Sequence, residues 1–201
     1  MKKGKNKELR AWEIALLTAL SFTLCVGLWA QRAQSAVSSE VLRLHVLAVD
    51  DSEEEQALKL RVRDAVLAYL EPELDGISDS KTAKSLVAER LEEIAEAASA
   101  AAEGRTVTVS LGEESYPLRR YESFVLPAGS YESLRVVLGD GEGHNWWCVV
   151  FPPICLSAAD AERVKEVMNP EGFALISDDG SRELRFRVVE LWGELLRFLD
   201  K

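Results

Sequence analysis

Between Gly143 and Cys155 the chain reads GHNWWCVVFPPIC, a stretch whose residue types offer thiol, metal or disulfide chemistry. Cys148 is the candidate nucleophile. Such a thiol needs a lowered pKa, access to substrate and a base within hydrogen-bond reach. His144 is the nearest base, yet four residues along an extended strand separate the two by about 13 Å. The only other histidine, His45, would have to be delivered by the first strand. Cys148, Cys155, His45 and His144 also make four ligands of a type zinc accepts. Their C-x6-C spacing is not the C-x2-C of common structural sites, and Pro152–Pro153 favours an extended path, so no metal is expected. Asp50–Asp51 and Asp178–Asp179 follow no calcium-loop pattern and read as a helix cap and a turn.

A disulfide between Cys148 and Cys155 fits the spacing, because a proline-containing turn can bring their Cα atoms within ~4.4–6.8 Å. Two small buried thiols are the alternative. Trp146 and Trp147 are adjacent, and adjacent residues on a strand point to opposite faces. One of them therefore stands on an open face as an anchor for a protein contact, unless the sheet is covered on both sides.

The compartment bears on these choices. Residues 1–35 hold six basic residues (Lys2, Lys3, Lys5, Lys7, Arg10, Arg32) against Glu8 and Glu13, a charge of +4. The whole chain is −10, which leaves −14 for residues 36–201. An acidic body argues against nucleic acid, which needs clustered Lys and Arg. From Ile14 to Ala30 there are 17 uncharged residues, at the lower limit for a bilayer span. A basic start, an apolar run and the small residues of AQRAQSA outline a secretory signal or an uncleaved anchor at 1–30. Both readings leave the basic end in the cytoplasm and export the body. Cys25 in the apolar run is a small hydrophobe, whereas Cys148 and Cys155 face a compartment where disulfides persist.

The elements that must position these residues follow from periodicity. Residues 31–40 are small and polar and read as a linker. Val41–Ala48 alternates as a strand with one wholly apolar face. Asp51 or Ser52 caps a first helix whose opening turn holds Glu53, Glu54 and Glu55, with Leu58, Val62, Ala65, Val66 and Tyr69 buried and Pro72 and Gly76 ending it. A second helix spans about Asp79–Glu103 and stops at Gly104. The period then becomes 2 over Arg105–Gly112, Tyr116–Ala128, Tyr131–Gly141 and Asn145–Phe151, which predicts an antiparallel meander. Ser157–Met168 reads as a short helix, and Glu183–Glu190 as a strand or helix start. The expected fold is α+β: an N-terminal signal or transmembrane helix, then a strand, two helices, a β-meander and a small helical tail. The domain is expected over 41–156 and the tail over 157–201.

Three features together carry a family resemblance: VLRLHVLAVDDSEEEQALKLRVRDAV (Val41–Val66), LPAGSYESLRVVLGDGEGHNWWCVVFPPIC (Leu126–Cys155) and the single N-terminal apolar segment. Over about residues 41–155 the chain resembles the stage II sporulation protein R family of endospore-forming bacteria. It departs where the family usually reads Ala-Asn-Ser-Asp and this chain has Ala48-Val49-Asp50-Asp51. The resemblance implies a signal, not an enzyme. Such a protein is exported across, or anchored in, the forespore membrane and faces the intermembrane space. It activates a membrane-embedded aspartic protease, and that protease cleaves the sigma factor E precursor in the mother cell. No cofactor and no small-molecule substrate are implied. The expected contact residues are Asn145, Trp146, Trp147, Phe151, Pro152 and Pro153, with Glu53 and Glu54 as a second patch. The competing reading is an exported thiol-dependent hydrolase using Cys148.

Overall fold

The N-terminal apolar run forms the middle of one long helix, α1 (Lys3–Ser38), in a computed structural model that describes residues 3–120, 125–152, 168 and 170–176. Its stretch Arg10–Ser38 is 29 residues long with mean hydropathy 1.7, long and apolar enough to cross a bilayer. Trp12, Leu17, Phe22 and Leu28 stand exposed along it. Residues 31–38, expected as linker, instead continue the helix. The reason lies in their composition: Ala and Gln are good helix formers, and Ala30, Gln34 and Val37 fall on one face at helical spacing. Ala30 and Val37 are buried, and Gln34 Nε2 donates to the Ser130 carbonyl at 3.1 Å.

The chain then forms β1 (Leu42–Leu47), α2 (Glu53–Leu74), α3 (Ser80–Glu89), α4 (Leu91–Ala101), β2 (Val107–Tyr116), β3 (Arg119–Arg120), β4 (Val125–Leu126), β5 (Gly129–Leu138), β6 (Asn145–Phe151) and α5 (Pro170–Ile176). The class is α+β, as expected, but the sheet is mixed and not a meander. Its order is β2-β5-β1-β6, with β1 parallel to β5 and antiparallel to β6. Every residue of β1 is buried, and a strand covered on both faces belongs at the centre of a sheet. It therefore lies between β5 and β6, the pair that a meander would have made neighbours. β3 and β4 form a separate short ribbon within what the alternation suggested was one strand, Tyr116–Ala128.

The helices differ from expectation in one place. The predicted single helix over Asp79–Glu103 breaks at Arg90, whose backbone N–H donates to both the Leu86 and Val87 carbonyls. The break lets α3 lie over β1 while α4 packs against α2 and β2. Ser52 caps α2, accepting from the Glu55 N–H at 3.4 Å, and the acidic first turn suits the positive end of the helix dipole. Pro72, expected to end α2, sits inside its last turn.

One face of the sheet (Leu42, Leu44, Val46, Leu134, Val136, Leu138) builds the main core with Leu58, Val62, Val66 and Ile94 of the helices. On the opposite face Val37 of α1, Val41, Tyr116, Leu126, Tyr131, Val149, Met168 and Ile176 form a second cluster. The predicted helix at Ser157–Met168 and the element at Glu183–Glu190 lie outside the described residues, apart from Met168.

Candidate functional site

Among the described residues β6 ends the strand order of the sheet opposite β2, and its first residues emerge from a loop pinned to the N-terminus of α2. The Gly143 N–H donates to the Ala48 carbonyl at 3.0 Å, and the Glu142 N–H to the Val49 carbonyl at 3.2 Å. A Cβ on Gly143 would lie 2.3 Å from the Asp50 carbonyl oxygen, so only glycine allows this approach. Gly141 has φ +66, and a Cβ there would press on Val137. The glycines of the G-x-G-x-N-W-W-C string thus let one backbone lie against another.

The next contact is electrostatic. The His144 N–H donates to Asp51 Oδ1 at 2.6 Å, and the His144 ring also contacts that carboxylate through Nδ1. These hydrogen bonds hold the Asp51 carboxyl below its ordinary range. Lys59, only 4% exposed, donates from Nζ to the His144 carbonyl at 2.8 Å and to Gln56 Oε1 at 2.5 Å. Burial pushes its ammonium below the ordinary lysine value.

The two tryptophans do point to opposite faces, and both faces are covered. Trp146 is 37% exposed on the helix side, with the Arg63 guanidinium 4.5 Å from its ring centre. Trp147 is half-buried on the other side, with Arg119 4.5 Å from its ring centre. It also meets His45 and Tyr116 at ring-centre distances of 5.8 Å each. Phe151 and Pro152 are buried and hold the far end of the strand. Pro153 and Cys155 lie outside the described residues. At the α2 terminus Glu53 and Glu54 are exposed, and Glu54 Oε1 lies 3.3 Å from Arg105, which also pairs with buried Glu55 at 2.6 Å.

Beneath Trp147 is a polar cluster that the sequence did not reveal. His45 Nδ1 lies 3.0 and 3.1 Å from the two oxygens of Glu114, and Nε2 lies 2.7 Å from Asn145 Oδ1. Tyr116 donates to Glu114 at 3.1 Å and shares a 2.5 Å hydrogen bond with Ser133. Arg43 is fully buried, its guanidinium 3.8 Å from the Tyr116 ring centre and 5.2 Å from that of Tyr131. Burial alone would raise the Glu114 carboxyl. Hydrogen bonds from His45, Ser133 and Tyr116, with the His45 charge, outweigh it and leave the group below its ordinary value. Burial pushes the Tyr116 phenol up. The available signal was Arg43 and His45 recurring on one face of an otherwise apolar strand.

Neither histidine stands beside Cys148 as the thiol reading needs. Cys148 is half-buried and packs against the helix-side core. His45 lies opposite Trp147 on the other face, and His144 is turned to Asp51. Among the described residues, no group of three His, Cys, Asp or Glu side chains is placed to hold a metal ion.

Comparison with known proteins gives this arrangement a family. The family described as Stage II sporulation protein R matches residues 38–161, more than half of the chain. The Stage II sporulation protein R of Bacillus subtilis (strain 168) is 35% identical over 140 residues, which is 67% of this chain. The match spans 62% of that relative's length. No solved structure matches. The stretch that carries the family match, from the last residue of α1 to beyond β6, holds all the described strands of the sheet and the pinned loop, and on that ground the chain belongs to the stage II sporulation protein R family.

Proposed function

We propose that this chain is an exported signalling protein of sporulation. In this reading α1 crosses or is exported through the forespore membrane, and the acidic domain faces the intermembrane space. There the domain binds a membrane-embedded aspartic protease and favours its active form, so that the sigma factor E precursor is cleaved in the mother cell. A ligand shifts such an equilibrium only through different affinities for the two states. The domain must therefore present a defined surface.

One observation carries the reading. The contacts of Asp51 and Lys59 with His144 join the start of β6 to the start of α2. In this reading Trp146 on the helix side of β6 and the exposed Glu53 and Glu54 at the start of α2 contact the partner, and Asn145 adds a polar group on the other face of the same strand. Trp147, Phe151 and Pro152 hold β6 in shape from behind and from the far end of the strand, and Pro153 is assigned to the contact region from the sequence alone. A Cys148–Cys155 disulfide would brace the same strand. Its support is that Cys148 is engaged as a half-cystine while Cys25 is a free thiol.

The test is co-expression with the protease and the sigma factor precursor in a non-sporulating host, following precursor cleavage by immunoblot. Trp146→Ala and the Glu53→Ala/Glu54→Ala pair should each lower cleavage by roughly tenfold or more, the effect of losing a contact anchor. Cleavage at wild-type level with both variants, each accumulating normally outside the membrane, would sink the assignment of this surface.

A further inference from the structure

The hydrogen bonds around His45 require a particular proton count. The Glu114 carboxylate, ionised and already accepting from Tyr116, can only accept from Nδ1. On the other side, Asn145 Oδ1 is also only an acceptor, and it lies 2.7 Å from Nε2. Both ring nitrogens must then donate, and a ring with two donors is an imidazolium. A neutral ring holding its proton toward Glu114 would present a bare Nε2 to Asn145. The amide would have to rotate by half a turn and offer Nδ2 instead of Oδ1.

We propose that His45 is a proton-dependent selector of which end of the Asn145 amide β6 presents to a partner. With His45 charged, Oδ1 is held inward and the amide NH2 faces out, so the start of β6 offers donors. With His45 neutral, NH2 turns inward and the carbonyl oxygen faces out, so the same position offers an acceptor. Asn145 is exposed at the first position of β6, where a change of hydrogen-bond polarity is readable from outside. The surroundings favour such a device. His45 is nearly buried between Trp147 of β6 and Tyr116 of β2. The charged groups facing it are Glu114 of β2, Arg135 of β5 at 3.5 Å from Glu114, and Arg43 two residues along β1. Arg119 of β3 lies over the Trp147 ring. Glu114 supplies the fixed anionic acceptor, and Asn145 is the part that can turn. The inference stands apart from the identity of any receptor.

The experiment is a side-chain nitrogen NMR titration of the full-length chain in detergent micelles, uniformly labelled with nitrogen-15. His144→Gln separates the two histidines. On the acid side of its titration His45 should show protons on both ring nitrogens, with the Asn145 NH2 exchanging freely with solvent. On the alkaline side Nε2 should lose its proton, and one Asn145 Nδ2 proton should become protected from exchange. Asn145→Asp offers only acceptor oxygens, so in that variant the ring should keep its second proton to higher pH. A ring that carries a single proton throughout would overturn the proposal. So would an Asn145 amide whose exchange ignores the titration, or an N145D protein that titrates like the wild type.

Discussion

Lys59 Nζ reaches 2.8 Å from the carbonyl oxygen of His144, joining the second turn of α2 to a residue 85 positions later. The contact is part-buried, and it fixes where β6 begins. Replacing Lys59 with Met keeps most of the side-chain volume but strands the His144 carbonyl and Gln56. The cost should be at most about 1.5–3 kcal/mol, the worth of hydrogen bonds made by a charged group. Urea denaturation should show a lower midpoint at unchanged slope. A midpoint within error of wild type would mean that Asp51 and the backbone bonds of Glu142 and Gly143 hold the loop without Lys59.

Gly143→Ala should destabilise through a different cause. The added carbon meets main-chain oxygen, not a side chain that can swing away. Overpacking of this kind costs about 1–3 kcal/mol. The same substitution at Gly112, where a Cβ meets nothing within 4 Å, should leave the melting temperature close to that of the wild type. Equal losses at the two positions would argue against backbone crowding at Gly143.

The tryptophans should separate in size of effect. Trp147 sits among His45, Tyr116 and Arg119, so its replacement by Ala should cost about 2–3 kcal/mol, below the ~3–5 kcal/mol of a fully buried aromatic. Trp146 is more exposed and has its main described contact with Arg63, worth about 0.5–1 kcal/mol. Thermal melts of the two single variants will rank them, and a larger loss for Trp146→Ala would contradict the burial.

The acid limb of stability should depend on Glu114. Its carboxyl lies below the ordinary 4.5 in the folded state. The unfolded chain therefore binds the proton more readily, and the stability this group supplies is present above about that value and is lost as pH falls through the lower folded value. Glu114→Gln removes this contribution, so the fall in stability below pH 4.5 should become shallower. Asp50, Asp51 and Asp79 are shifted the same way and should leave some slope. An acid limb superimposable on wild type would show that Glu114 titrates normally.

Local signals in the sequence were sufficient for local structure. Ser52 with three glutamates marked the start of α2, and alternation marked β1, β5 and β6. The break at Arg90 carries no glycine or proline and follows from where α3 and α4 pack, so nothing local announces it. Strand order was hidden for a similar reason. The insertion of β1 between β5 and β6 is set by pairings some 90 to 110 residues apart. The Gly143–Cys155 string was legible as a site, and the opposed tryptophans followed from strand geometry. The partners of His45, at separations of 69 and 100 residues, were not.

The unbroken passage of α1 into the fold has a mechanical consequence. Through Gln34 on Ser130 and Val37 in the second cluster, the helix is a shaft set into the sheet rather than a tether beside it. With α1 seated in a bilayer, the domain could not sweep freely above the surface; tilt or rotation of the helix would turn the sheet with it. The height and azimuth at which β6 stands above the bilayer would then be set by the helix itself. Two glycines inserted between Trp29 and Gln34 would release that constraint without touching a residue of the sheet.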